Sequence, residues 1–199
     1  NEPDSRRLKN MRAQTKAKRV FMDNVYSYDR VNNILGLENK APVPSPNLMG
    51  GSSTYSYEYD DLYRLTGAEG SYKGSNESHT YALSMTYNTV GGIIQKTQVH
   101  KKGGHDQKKT TYDLLYGYGE TQPHAPVHIG EQTYSYDQNG NQTGWTSDVS
   151  GQRRLVLWDE ENRIRSLYDN GSQHHYIYDA SGERVIKGKR MGEKIFVNG

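Results

Sequence analysis

Five carboxylates recur in one setting: Asp29, Asp60, Asp137, Asp159 and Asp179 each follow an aromatic residue directly (Tyr28, Tyr59, Tyr136, Trp158 and Tyr178). Repeated carboxylates could serve as general acid–base pairs. Their fixed place after a ring and before a turn argues for another role, in which the carboxylate bonds backbone N–H groups two residues on. The histidines offer little metal chemistry. His124 and His128 have a ligand spacing only on a helix, which Pro123 and Pro126 oppose. His174 and His175 are adjacent, so a strand points them to opposite faces. His100 and His105 flank a polar loop with Asp106, and no pair has an evident third ligand. There is no cysteine, hence no disulfide and no thiolate ligand or nucleophile. Gly91-Gly92 and Gly103-Gly104 lack the Gly-Lys-Ser/Thr ending of a phosphate loop, and no Gly-x-Ser-x-Gly elbow occurs. The sequence predicts no catalytic residue, no metal site and no cofactor.

The elements that carry these residues are repeated. The phrase is Tyr26-Ser-Tyr28-Asp29, then Tyr57-Glu-Tyr59-Asp60, Tyr134-Ser-Tyr136-Asp137, Trp158-Asp159 and Tyr176-Ile-Tyr178-Asp179, with a degenerate copy at Tyr87-Asn88. The last three full copies lie 22 and 20 residues apart, a period that signals a repeat architecture. Tyrosines two apart share one face of a strand. The Asp opens a turn, Asn or Gly supplies positive φ, and an Arg-hydrophobic pair such as Arg64-Leu65 or Arg163-Ile164 starts the return strand. Gly140, Gly171 and Gly182 are the turn glycines of the regular C-terminal half. Each copy is a β-hairpin that cannot cover its aromatic face alone, so the copies stack. The fold class is all-β, with no helix beyond a possible turn within residues 6–18. The aromatics Tyr28, Tyr59, Tyr136, Trp158 and Tyr178 are expected to pack between neighbouring hairpins.

Five or six copies in register resemble the YD repeat of the Rhs family, shared with the C-type components of bacterial Tc insecticidal toxins and with animal teneurins. Residues 153–187, with Leu155-Val-Leu157-Trp158-Asp159-Glu160-Glu161-Asn162-Arg163-Ile164, look most like the Rhs and Tc branch. The resemblance covers nearly the whole chain. It implies a β-sheet wound into a curved or spiral shell around a C-terminal toxic domain. It also implies a bacterial protein, secreted or at the cell surface. The implied partners are flanking repeats of the same polypeptide, the enclosed toxin domain and a secretion or delivery apparatus. Relatives of this kind cleave themselves at an Asp-Pro core motif, and this sequence contains no Asp-Pro pair. The alternative reading is a surface adhesion or glycan-binding module, in which exposed Tyr and Trp stack on sugar rings. The two readings differ in whether the aromatics lie between repeats or cluster in an outward groove.

Composition fits a thin sheet. Leu, Ile, Val and Phe number 33 of 199, below the ~20% level associated with disorder. The net charge is only +2, however, and 17 tyrosines can each bury ~150–250 Å² while keeping a polar contact. No apolar run approaches the ~18 residues of a membrane span. Seven cations lie between Arg6 and Arg19, without an aromatic stacking platform, so a solvated strand face or an interface with acidic neighbours is favoured over nucleic-acid binding.

The whole chain, 1–199, reads as one shell segment of a larger protein, with both ends inside repeats: Pro3–Leu8 as the second half of an upstream unit, Ile195–Gly199 as a strand-like run. Val20, Phe21 and Val25 are expected to face inward. Two insertions interrupt the period. In residues 38–54, alternating prolines and Gly50-Gly51 predict a surface or recognition loop. Residues 99–111 predict a long exposed hairpin tip. Turns are expected near Gly67–Gly70, at Gly91-Gly92, and at Asn139-Gly140, Ser150-Gly151, Asn170-Gly171, Ser181-Gly182 and Met191-Gly192, with Asn139-Gly140 as a type I′ turn.

Overall fold

The computed structural model describes residues 7–46, 48, 50–189 and 192–196. Readings that rest on residues 1–6, 191 or 197–199 lie outside the described residues. Alternating Tyr/Ser/Thr sequence and frequent turn residues give 17 strands, and no helix occurs among the described residues. Every strand pairing whose register is defined is antiparallel. The chain divides into two compact units, one ending at Leu114 and one beginning at Leu115.

The first unit is a meander of β1 (Asn10–Gln14), β2 (Val20–Tyr28), β3 (Ile34–Asn39), β4 (Ser52–Tyr59), β5 (Leu65–Lys73), β6 (Ser78–Tyr87), β7 (Ile93–Lys102) and the short β8 (His105–Asp106). Strand β9 (Tyr112–Tyr118) crosses the division, and its ladder with β10 (Pro126–Ile129) uses Tyr116–Tyr118, inside the second unit. The second unit continues with β11 (Gln132–Tyr136), β12 (Gln142–Ser147), β13 (Arg153–Trp158), β14 (Ile164–Asp169), β15 (Ser172–Tyr178), β16 (Arg184–Lys189) and β17 (Gly192–Ile195). Consecutive strands are neighbours throughout each meander.

The layers are single. In β4, half-buried Tyr55, Tyr57 and Tyr59 alternate with exposed Thr54, Ser56 and Glu58; in β6, His79, Tyr81, Leu83, Met85 and Tyr87 alternate with exposed neighbours. Among the described residues only Ala41, Ala68 and Val156 form a buried apolar core, and no large side chain is fully buried. In the second unit the opposite face leaves Leu157 61% and Leu155 49% exposed. Tyrosine area and hydrogen bonding therefore replace a dry centre.

The turn allowed within residues 6–18 falls at Lys16-Ala17, between β1 and β2. Four sequence expectations are corrected. Phe21 does not face inward: it is 44% exposed, at the extra residue where the β1–β2 register shifts. Gly67–Gly70 is not a turn but the middle of β5. An added Cβ at Gly70 would lie 2.2 Å from Tyr81 Cε1 and 2.8 Å from Tyr55 Cδ1, so the missing side chain makes room for two rings. Asn139-Gly140 is not type I′: Gly140 has φ +84, but Asn139 is absent from the positive-φ residues. The type I′ geometry belongs to Asn170-Gly171, with φ 47 and 90, between the paired residues Asp169 and Ser172. The first insertion narrows to residues 40–51, because β3 and β4 extend into it. The second is a hairpin whose β7–β8 turn is Gly103-Gly104.

Gly140→Val places a β-branched residue at positive φ, a strain of ~1–3 kcal/mol. Val43→Ser in the 40–51 loop is expected to change stability by less than ~0.5 kcal/mol. Urea midpoints of the two variants measure the difference directly.

Candidate functional site

The repeated phrase builds one local structure six times. At the turn, the N–H of the Asp (or Asn88) bonds the carbonyl four residues on, at 2.8–3.0 Å: Asp29 to Asn33, Asp60 to Arg64, Asn88 to Gly92, Asp137 to Asn141, Asp159 to Arg163, Asp179 to Glu183. The same side chain's Oδ1 accepts N–H bonds from the residues two and four positions on, as Asp159 does from Glu161 (3.0 Å) and Arg163 (2.8 Å). The residue three positions on has positive φ every time, whether it is Asn32, Tyr63, Gly91, Gly140, Asn162 or Gly182. A β-bulge then sets the ring opposite the residue six positions after it: Tyr28 to Ile34, Tyr59 to Leu65, Tyr87 to Ile93, Tyr136 to Gln142, Trp158 to Ile164, Tyr178 to Arg184. This is a three-residue loop closed by a carboxylate and opened to αL at one position.

The rings join one hairpin to the hairpin before it. Tyr59 Oη donates to Ile34 O at 3.0 Å, Tyr87 to Leu65 O at 2.7 Å, Trp158 Nε1 to Gln142 O at 2.9 Å and Tyr178 Oη to Ile164 O at 2.9 Å. Each acceptor is the first residue of the preceding return strand, opposite that hairpin's own ring. Tyr28 reaches Leu8 O and Tyr136 reaches Pro126 O, both at 2.9 Å. The indole N–H of Trp158 thus does the work of a phenol O–H.

Two arginines tie turn to ring. Arg64 donates Nε to Asp60 Oδ2 at 2.7 Å while its guanidinium lies 4.5 Å from the Tyr87 ring centroid. Arg163 repeats this, 2.9 Å from Asp159 Oδ2 and 4.9 Å from the Tyr178 centroid. Asn33 and Asn141 take the carboxylate contact elsewhere, and Asn141 also donates to Asn162 of the next turn at 2.7 Å. The sequence singled out the rings, the aspartates, the turn glycines and the arginine that starts the return strand, but not the contacts these arginines make or the acceptor carbonyls. The arginines had a readable signal, since both stand four residues after the Asp.

These bonds hold the turn carboxylates ionised. Desolvation opposes the charge on Asp29 and Asp159, but the bonds from Asn33 and from Arg163 outweigh it. The leading cause is the Arg64 backbone N–H at Asp60, the Asn141 side-chain amide at Asp137 and the Ser181 hydroxyl at Asp179. All five lie below their ordinary value. The unfolded chain therefore takes up these protons first, starting near ~3.9, and stability falls as pH drops from there through the folded-state values. Asp137→Asn, copying Asn88, is expected to lose less melting temperature than the parent between about pH 5 and about pH 3. An equal loss in both would remove the turn from the acid response.

The histidines are scattered differently from the sequence pairs. His128 is on β10 while His124 lies in the preceding loop; His79 and His100, never singled out together, touch at 2.9 Å. No group of three His, Asp or Glu residues is placed to hold a metal ion among the described residues, and no helix is long and apolar enough to cross a membrane.

No family model matches the sequence, and no curated protein matches it. Solved structures do. A complex of TcdB2, TccC3 and Cdc42 superposes over 99% of this chain with a TM-score of 0.61 at 16% identity. The chain has the fold of a segment of TcdB2–TccC3. A TcdB2–TccC3 structure without the hypervariable C-terminal region matches over 96% of the chain with a TM-score of 0.59 at 16% identity. The Photorhabdus luminescens Tc holotoxin pore, with a TccC3 substitution, matches over 94% with a TM-score of 0.54 at 15% identity. Against the much longer Tc chains this one spans only 11–12% of the length.

Proposed function

We propose that this chain is a wall segment of a secreted Rhs- or Tc-like bacterial toxin, helping to enclose a C-terminal effector and deliver it. The observation that carries this reading is the ring-to-carbonyl link between successive hairpins. Each of these six aromatics is directed at the preceding hairpin, so the array extends by adding units, which favours a wall over a glycan-binding module. The likeness to TcdB2–TccC3 supports the same reading. Function then comes from containment: paired strands leave no free edge inside the wall, and the cargo is kept from solvent and proteases. The segment is non-catalytic in this reading, because its repeated carboxylates are committed to backbone N–H groups. Its partners are flanking repeats, the enclosed domain and a delivery apparatus.

The test uses the full-length product of the gene. Its C-terminal domain should resist protease until the wall is denatured, and a variant lacking residues 52–106 should expose that domain to digestion. Equal digestion in both proteins would overturn the containment role.

A further inference from the structure

We propose that the basic rim of the first unit is a docking edge for a second copy of this chain, met through the acidic turn rim of that copy's second unit. Successive antiparallel strands alternate in direction, so alternate connections lie on opposite rims of the sheet. In the first unit one rim therefore carries the Asp and Asn turns, and the other carries the junctions between hairpins. The junction rim presents Lys16, Lys18 and Arg19 between β1 and β2, Lys73 at the end of β5, and Lys108 and Lys109 after β8, all of them exposed. Carboxylates on this rim are engaged by other lysines: Glu38 by Lys40 at 3.4 Å, Asp106 by Lys101 at 3.8 Å and Glu77 by Lys102 at 2.6 Å. Lys16, Lys18, Arg19, Lys73, Lys108 and Lys109 have no ion-pair partner among the described residues.

The fold itself does not call for this charge. Lysines that guard a sheet against aggregation lie along an edge strand, whereas these sit in turns or at strand ends, where no ladder can add. Gathered like charge repels itself, and it marks a surface suited to an anionic partner.

The second unit offers such a partner. Its turns after β11, β13 and β15 carry Asp137, Asp159, Glu160, Glu161, Asp179 and Glu183. The arginines of these turns are already directed inward on the same unit. Arg163 bonds Asp159 at 2.9 Å and Glu161 at 2.5 Å, and the Arg184 guanidinium lies over the Tyr176 and Phe196 rings. Glu160 and Glu183 are exposed and have no ion-pair partner among the described residues. The turn rim of the first unit competes poorly, because Arg30 and Arg64 offset most of the charge of Asp29, Asp60 and Asp61. Turns and junctions both recur at every second strand, roughly 9–10 Å apart, so acidic and basic positions meet in step when the two rims are laid together. The two rims are different surfaces, and copies joined this way run head to tail. Each exposed pair is weak, and salt screens it over ~10 Å at about 0.1 M, so the contact works as an array and fades as salt rises.

Sedimentation velocity of the chain at about 25 mM and about 250 mM salt tests the contact, and self-association should be roughly tenfold weaker at the higher salt. Lys108→Glu with Lys109→Glu should leave the protein monomeric at low salt, as should Glu160→Lys with Glu183→Lys in a separate variant. Mixed one to one, the two variants should associate again, because each retains the rim that the other has reversed. Misfolded variants could not produce that recovery. A parent that stays monomeric at low salt would overturn the proposal. So would association that survives either reversal, as strand-edge pairing does, or a mixture that stays monomeric.

Discussion

Gly70→Ala should destabilise the first unit by ~1–3 kcal/mol, even though strand propensity alone favours alanine over glycine. The reason is cross-strand crowding. Gly70 stands opposite Tyr55 on one side and Tyr81 on the other, and those rings lean over it with centroids 6.2 Å apart. An added methyl group would lie within 2.2–2.8 Å of three ring atoms, which no packed Cβ tolerates, so a ring must move and lose its contacts. Gly67, three residues earlier on the opposite face, is the control. Its added Cβ would meet chiefly the tip of Glu58, a flexible side chain, at 2.9 Å. Gly67→Ala should therefore shift stability by less than ~0.5 kcal/mol. Urea unfolding of both variants followed by tyrosine fluorescence decides the matter. Equal midpoints would mean that Gly70 is not a space-maker.

The second large effect is expected at Trp158. Trp158→Ala removes a half-buried ring and its bond to Gln142 O, at a cost of about 3 kcal/mol, whereas Trp158→Phe keeps most of the ring and loses the N–H bond, about 1 kcal/mol. The link should also couple hairpins. Trp158 is the ladder partner of Ile164, and Tyr178 donates to the carbonyl of that same Ile164. Trp158→Ala and Tyr178→Phe should accordingly be non-additive by ~0.5–3 kcal/mol in a double-mutant cycle. Strict additivity would make the links independent decorations on a ladder that stands without them.

The sequence carried the strands and the turn positions because both are written in side-chain types: alternating rings, then Asp, then Asn or Gly. Where the same residue has two physical uses, it misled. Glycine marks a turn at Gly91 and Gly182, but a close approach of rings at Gly70. Asn-Gly is type I′ at residues 170–171 but not at 139–140, because Asp137 captures the N–H groups of Asn139 and Asn141 and closes a longer loop. Tyr63 occupies the positive-φ position, with φ 63, where composition alone would never place a tyrosine. The acceptors of the ring bonds were illegible for a deeper reason: every residue offers a carbonyl, and only the bulge register selects which one.

The direction of the ring bonds has a bearing on how the chain is made. Every donor reaches back to an acceptor earlier in the sequence: Tyr28 to Leu8, Tyr59 to Ile34, Tyr87 to Leu65, Tyr136 to Pro126, Trp158 to Gln142 and Tyr178 to Ile164. A nascent chain leaves the ribosome N-terminus first, at about 5–20 residues per second. Each new hairpin therefore emerges after its docking carbonyl is already in place, and takes about one to several seconds to appear. For these bonds assembly can follow translation unit by unit, each ring arriving after the carbonyl it needs.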